Sequence, residues 1–403
     1  MFTLSWIKEE VGVLIDLGLV EFQLKSNDNA LTAFDRALSI DAKSLPALNN
    51  KGSVLYALGK FDKSAECFEK ALQVDQSVEN TWNNLGSALY NLGKFQDAVE
   101  RFDKALALDK RDAQAWNNRG NALGRLKRYQ DALESYEKAL GIDSGQKTFW
   151  LNKGIALKDL DRARDALECY EKALDIDKAF EPAWTSRGNA LSALEDYKGA
   201  IDAYLRAIDI NPRSSNAWNN KGHALVGIGK VKEAISDYKM AVDIDPEYAE
   251  AWNNLGNAHY SLGELDQALT NYEKAISIRT DYDEAWNNKG VTLKKMARLE
   301  EAERCFRRAI EIDGQYIDAL QNLGTTLYNL EKYPDALETY NQARKIDEER
   351  DDLWSNIGNT LVQLKRADDA EKAYQKALEI NRDNPDAKEG LEIIKKHRES
   401  SKS

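Results

Sequence analysis

Asparagine is the residue whose placement first suggests chemistry. Asn50, Asn84, Asn118, Asn152, Asn220, Asn254, Asn288, Asn322 and Asn356 are separated by 34 residues or by twice that interval. A second row, Asn49, Asn83, Asn117, Asn219, Asn253 and Asn287, stands one residue before six of them. A primary amide offers donors and an acceptor together, so a regular row of amides can pair with the backbone of an extended peptide whatever its sequence. Catalysis has no comparable signal. His223, His259 and His397 complete no nucleophile-and-base pattern, and no P-loop, dinucleotide fingerprint or HExxH occurs. Cys67, Cys169 and Cys305 lie a hundred or more residues apart with no ligand spacing, and read as buried thiols. Neither a metal nor another cofactor is expected.

The elements that position these amides follow from the same interval. Gly18, Gly52, Gly86, Gly120, Gly154, Gly188, Gly222, Gly256, Gly290, Gly324 and Gly358 recur every 34 residues without insertion or deletion. With this Gly as position 8, eleven repeats fill residues 11–384, beginning at 11, 45, 79, 113, 147, 181, 215, 249, 283, 317 and 351. Position 4 is Trp in eight repeats and Leu in three, position 20 is Ala except at Ser64, position 24 is always Phe or Tyr, and position 27 is always Ala. The Asn row occupies position 6, and all three cysteines fall at position 23.

Positions 4, 8 and 11 share one face of a first helix, and positions 20, 24 and 27 one face of a second. Each repeat therefore reads as a helical hairpin, and the chain as all-α. A helical Gly costs about 1 kcal/mol relative to Ala, so eleven of them imply close approach of two backbones, with the small residues at 8 and 20 facing each other. Such a hairpin cannot bury its second face alone, so stacking follows. Gly59 and Gly93 read as helix terminators, and Asp or Asn after the second helix, as at Asn211-Pro212 and Asp245-Pro246, as stop signals.

Composition sets outer limits. The 403 residues carry a net charge of −12, which argues against binding a nucleic-acid backbone. Six prolines suit helix nearly throughout, and 42% hydrophobic residues suffice for a core. The apolar stretch from Val11 to Val20 is interrupted by Asp16 and is too short to span a bilayer. No signal peptide is read, so a cytoplasmic address without membrane attachment is the expectation.

Trp at 4, Gly at 8, Leu at 11, Ala at 20, Phe or Tyr at 24, Ala at 27 and Pro212 and Pro246 at 32 together resemble a tandem tetratricopeptide repeat (TPR) protein over residues 11–384. Two departures stand out. Position 32 is Pro in only two repeats, and position 7, usually Leu in the family, is Lys51, Arg119, Lys153, Arg187, Lys221 or Lys289 in six. The resemblance implies a right-handed superhelix, an α-solenoid whose concave groove is lined by first helices, binding peptides or protein segments. Prokaryotic TPR-array proteins are of this kind. Residues 1–10 form a lead whose Phe2, Leu4, Trp6 and Ile7 would cover the first repeat or dock on a second molecule. Residues 385–403 form a capping helix with a fraying end.

Family positions 2, 5, 6, 9, 12 and 13 tend to face the groove. On that basis the Asn row looks like the asparagine ladder in the TPR superhelix of O-GlcNAc transferases; alternatively it is family consensus bonded to neighbouring helices. Tyr56 and Tyr90 at position 12 would be aromatic platforms, or would pack on the next helix. Leu151, Ile155 and Lys158 interrupt the pattern in the fifth repeat, as a mid-groove apolar pocket or as drift. Glu250, Glu284, Asp318 and Asp352 at position 2 would favour a basic partner, or simply begin solvated helices. A chaperone-tail carboxylate clamp is disfavoured because position 2 never carries Lys or Arg.

The expectation is a non-catalytic protein-interaction scaffold with a protein or peptide partner of unknown identity. A structural module self-associating through its terminal repeats is the alternative. A helical-repeat nucleic-acid binder is less favoured, since the charge opposes it, and the repeats leave no room for a catalytic domain.

Overall fold

The computed structural model describes residues 2–400, with side chains for 8–397. The roles expected of the Phe2, Leu4, Trp6 and Ile7 side chains, and of the last residues of the tail, lie outside the described residues. The chain forms two compact halves, Met1–Asn211 and Pro212–Ser403. In the N-terminal half the helices are α1 (Phe2–Gln23), α2 (Asn27–Ile40), α3 (Leu45–Ala57), α4 (Phe61–Val74), α5 (Glu79–Asn91), α6 (Phe95–Leu108), α7 (Ala113–Arg125), α8 (Tyr129–Ile142), α9 (Lys147–Asp159), α10 (Ala163–Ile176), α11 (Glu181–Ala193) and α12 (Tyr197–Ile210). In the C-terminal half they are α13 (Ser215–Gly227), α14 (Val231–Ile244), α15 (Ala249–Ser261), α16 (Leu265–Ile278), α17 (Asp283–Lys295), α18 (Leu299–Ile312), α19 (Ile317–Asn329), α20 (Tyr333–Ile346), α21 (Asp351–Gln363), α22 (Ala367–Ile380) and α23 (Pro385–Ser400).

Odd-numbered helices through α21 are the first helices of the hairpins and even-numbered ones the second. Within each half every first helix touches the next first helix, as α3 touches α5 and α15 touches α17. Among the described residues no second helix touches the next second helix. The first helices are thus the inner layer, and the fold is an all-α solenoid of stacked hairpins closed by α23.

Two turns repeat along each half. Inside a hairpin, position 15 adopts a left-handed backbone: Gly59 and Gly93 have φ of 70° and 76°, and seven non-glycines, from Lys25 to Lys365, have φ of 58–62°. The Lys60 N–H then closes the helix by donating to the Leu55 carbonyl at 2.9 Å. Between hairpins the carboxylate at position 31 accepts the N–H of position 33, as Asp109 does from Arg111 at 2.8 Å. The indole of every Trp at position 4 spans the same turn, donating to the carbonyl six residues earlier, as Trp116 does to Lys110 and Trp252 to Pro246, both at 3.0 Å. An Asp and a Trp therefore do at most junctions what Pro212 and Pro246 suggested for two.

The same Trp accounts for five of the six cations at position 7, Lys51 having Leu48 at position 4 and pairing instead with Asp35. Arg119, Lys153, Arg187, Lys221 and Lys289 each lie over the indole three residues earlier, from 4.7 Å for Lys221 to 6.0 Å for Lys153. Arg119 also pairs with Asp103 on the preceding second helix at 2.7 Å. At Arg119, Lys153 and Lys289 the cation thus joins two hairpins and stacks on the indole face.

The Gly at position 8 has a different main partner from the one expected. The small residues do meet, since Ser64 Oγ donates to the Gly52 carbonyl at 2.8 Å. The atoms that require glycine, however, belong to the ring at position 24: a Cβ on Gly120 would fall 2.5 Å from Tyr136 Cε1, and one on Gly324 2.5 Å from Tyr340 Cε1. The aromatic lies flat where a side chain would be, and is almost wholly buried.

At the C-terminal end α23 buries Ala387 and Ile394. Asn384 starts it, its Oδ1 accepting from Ala387 N at 2.8 Å and from Ser355 Oγ at 2.9 Å. Cys67, Cys169 and Cys305 are buried free thiols, and burial pushes Cys169 up to about 11. Among the described residues no helix is long and apolar enough to cross a membrane.

Candidate functional site

The Asn row lies on the first helices, and all nine residues are half-buried. Asn118, Asn152, Asn254, Asn288 and Asn322 each donate one amide hydrogen to the position-5 oxygen of the preceding hairpin, namely Asn83, Asn117, Asn219, Asn253 and Asn287, at 2.9–3.2 Å. Five residues of the row are thus each tied to the second row of the hairpin before. Asn220 accepts from Asn219 at 3.1 Å. Among the described residues, nothing pairs with the side chains of Asn50, Asn84 and Asn356.

In the N-terminal half the inner face holds an open cleft of about 230 Å³ lined by Tyr56, Ser87, Tyr90, Asn91, Phe102, Asn118 and Asn121. Three of these, Tyr56, Tyr90 and Asn118, are among the residues expected at the groove; Phe102 is the position-24 aromatic, and Ser87, Asn91 and Asn121 are not among those expected. Asn121 carried a readable signal: Asn at position 9 accompanies Tyr at 24 in four repeats. The reason is direct, since the buried Tyr136 hydroxyl donates to Asn121 Oδ1 at 2.8 Å, as Tyr204 does to Asn189, Tyr272 to Asn257 and Tyr374 to Asn359.

The two platforms are braced from below. Tyr56 meets the edge of Phe61 and Tyr90 that of Phe95, with centroids 5.3 and 5.4 Å apart. Tyr56 nonetheless stays 36% exposed, and Asn91 donates to its hydroxyl at 2.8 Å. Burial pushes the Tyr136 phenol well above its usual range, so it stays protonated as a donor.

The fifth repeat does not form one apolar patch. Leu151 is buried in the core beside Tyr170, whereas Ile155 is 38% exposed. Lys158 pairs with Asp159 at 3.1 Å. Ile155 occupies position 9, where the other tyrosine repeats named above have Asn, and the Tyr170 hydroxyl beneath is buried with no hydrogen-bond partner.

The C-terminal half treats its inner face differently. Arg279 holds Glu250 at 2.6 Å, Asn253 donates to Glu284 at 3.1 Å, and Arg350 spans Asp318 at 3.0 Å and Asp352 at 2.9 Å. The position-2 carboxylates are therefore all engaged, Glu250 and Asp318 from within their own repeat and Glu284 and Asp352 from the repeat before. Lys294 donates to Asn322 Oδ1 at 2.9 Å, and burial lowers its ammonium below the usual lysine range. His259 is buried against Glu264, 2.5 Å from its carboxylate. Among the described residues no cluster of His, Cys, Asp and Glu could hold a metal ion.

Tetratricopeptide repeat models match residues 43–111, 83–147, 148–180, 182–214, 203–236, 222–263, 256–296, 281–349 and 352–384. No curated protein matches the chain at a significant level. Among solved structures, the APC/C hetero-tetramer Cut9–Hcn1 aligns with 95% of this chain and 96% of that one at 14% identity and a TM-score of 0.51, a likeness of fold alone. Yeast Tom70 covers 98% of this chain and 97% of its own at 17% identity and a TM-score of 0.44. YrrB, a TPR protein with an unusual peptide-binding site, covers 47% of this chain and 97% of its own at 26% identity and a TM-score of 0.38. The last two superpose too loosely to bear on function. With matched stretches running from residue 43 to residue 384 over stacked helical hairpins, this chain belongs to the tetratricopeptide repeat family.

Proposed function

We propose that the chain is a non-catalytic scaffold holding an extended segment of a partner protein on the inner face of its first helices. The observation that carries this reading is the cleft where Tyr56 and Tyr90 converge with Asn118. Exposed aromatic edges fixed by packing, beside amides, suit a peptide that contributes one side chain and its own backbone polar groups. The Asn row contributes what its bonds to the second row leave over, and Ile155 and Lys158 lie further along the same face.

Selection of a randomised peptide library on the immobilised intact chain tests this. Enriched peptides should bind the Tyr56→Ala, Tyr90→Ala double variant at least about tenfold more weakly, the loss expected of a hot-spot pair. Equal affinity, or no enrichment over bare support, would overturn the reading.

One observation favours a second reading, self-association. Val13, Leu17, Val20 and Leu24, spaced along one face of α1 and its end, are 66%, 47%, 51% and 72% exposed. The equivalent positions 3 and 10 are buried in the following repeats. Light scattering over a concentration series, with Leu17→Lys as control, distinguishes this reading from a monomer.

A further inference from the structure

We propose that the cleft at Tyr56 and Tyr90 takes a carboxylate, the side chain of an Asp or Glu in an extended acidic segment; this rests on the peptide-binding reading above. The argument is a count of hydrogen-bonding capacity at the cleft. Asn91 uses both amide hydrogens, one on Tyr56 Oη at 2.8 Å and one on the Ser87 carbonyl at 2.9 Å. The Tyr56 oxygen therefore accepts, and its own hydrogen remains to be donated. Ser87 spends its hydrogen on the Asn83 carbonyl at 3.0 Å.

Asn118 Oδ1 is occupied by Gln114 Nε2 at 2.8 Å, and one of its amide hydrogens by Asn83, leaving the other. Asn121 Oδ1 is occupied by the Tyr136 hydroxyl, leaving its amide hydrogens. The amide oxygens of Asn118 and Asn121 are thus engaged and that of Asn91 is left over, while donors remain on Tyr56, Asn118 and Asn121. A ligand that meets these donors must bring acceptors.

Charge decides which acceptor. No carboxylate lines the cleft. The Arg125 guanidinium lies 4.6 Å over the Phe95 ring, whose edge meets Tyr90. Arg125 is exposed, and among the described residues it makes no ion pair. A carboxylate gains from both features, since hydrogen bonds to an ionised acceptor are stronger than those to a neutral carbonyl. The nearby Asp159 is already paired with Lys158.

The test reads the content of the selected peptides, not only their existence. On the intact chain the enriched sequences should share one Asp or Glu position, and changing that residue to Gln in a synthetic peptide should weaken binding about tenfold. On the Arg125→Glu variant, whose helicity should be unchanged, the acidic preference should disappear while other enriched positions persist. A consensus without an acidic position, or one unaltered by Arg125→Glu, would overturn the carboxylate inference and leave peptide binding standing. Absence of any enrichment would overturn both.

Discussion

In the N-terminal half the inner face presents phenols and amides, with Tyr56, Tyr90 and Asn118 around an open cleft. In the C-terminal half the same repeat frame puts carboxylates at position 2, and Arg279 and Arg350 hold three of the four. The two halves share every packing device, from the Gly under the aromatic to the Trp across the turn. They differ in where polar capacity is spent. Ion pairs in the second half consume the charges that would otherwise recruit a basic partner, whereas the first half keeps donors and an unpaired guanidinium in reach of solvent.

The largest expected effect tests what the halves share. Gly120→Ala and Gly324→Ala both push a Cβ into a buried ring, and each should cost about 1–3 kcal/mol by overpacking. Urea unfolding of the two variants should give similar losses; a clear loss in one and none in the other would break the claim of a common packing device.

Titration should separate the halves next. In the N-terminal half burial, followed by the hydrogen bond and charge of Asp112, pushes Glu79 up to about 7 from 4.5. The folded state then holds a proton the unfolded chain releases, so stability should fall as pH rises from about 4.5 to about 7. In the C-terminal half burial raises Asp352, but hydrogen bonds from Arg350 and Gln321 outweigh it and hold the carboxyl below its usual range. Its contribution is present above the ordinary carboxylate value and is lost as pH falls through the folded one. Denaturation midpoints across pH should therefore flatten on the neutral side for Glu79→Gln and on the acid side for Asp352→Asn. The opposite assignment would reverse the comparison.

A smaller effect lies at Ile155 in the fifth repeat. Ile155→Asn gives the Tyr170 hydroxyl the partner that Tyr136 and Tyr204 already have, and should raise stability by about 1 kcal/mol. Thermal unfolding that shows a loss instead would mean the phenol is satisfied in another way.

The smallest concerns the hairpin turns. Lys127 in one half and Ala297 in the other have φ of 59°. Lys127→Gly and Ala297→Gly should each stabilise by roughly 0.5–1 kcal/mol, the left-handed strain relieved less the added freedom of the unfolded chain. No change in calorimetric midpoint for either would show that the turn is unstrained.

Much of the fold was legible because its period is unbroken. Gly at 8, the aromatic at 24 and Ala at 27 define helix faces by spacing alone; from α3 to α21 each first helix begins on the first position of the frame, whereas α1 begins at Phe2, nine residues ahead of it. The cleft was half legible: Tyr56, Tyr90 and Asn118 stand out, while Asn91 and Ser87 vary between repeats and leave no pattern. Leu151 shows the limit most plainly, for its break in the second row of amides, at position 5, reads equally well as a groove contact or as core.

The sequence by itself determined that the chain is a row of helical hairpins, because periodicity of 3.6 residues assigns each side chain to a face of its own helix. Its net charge of −12 also argued against binding a nucleic-acid backbone. Only the tertiary structure decided which residues meet across hairpins: that Asn118 bonds Asn83, that the Trp116 indole closes the turn at Lys110, and that the Tyr136 ring needs Gly120. Those pairings depend on the crossing of one helix over the next and on the register of stacking, and neither is encoded in the spacing along a single helix.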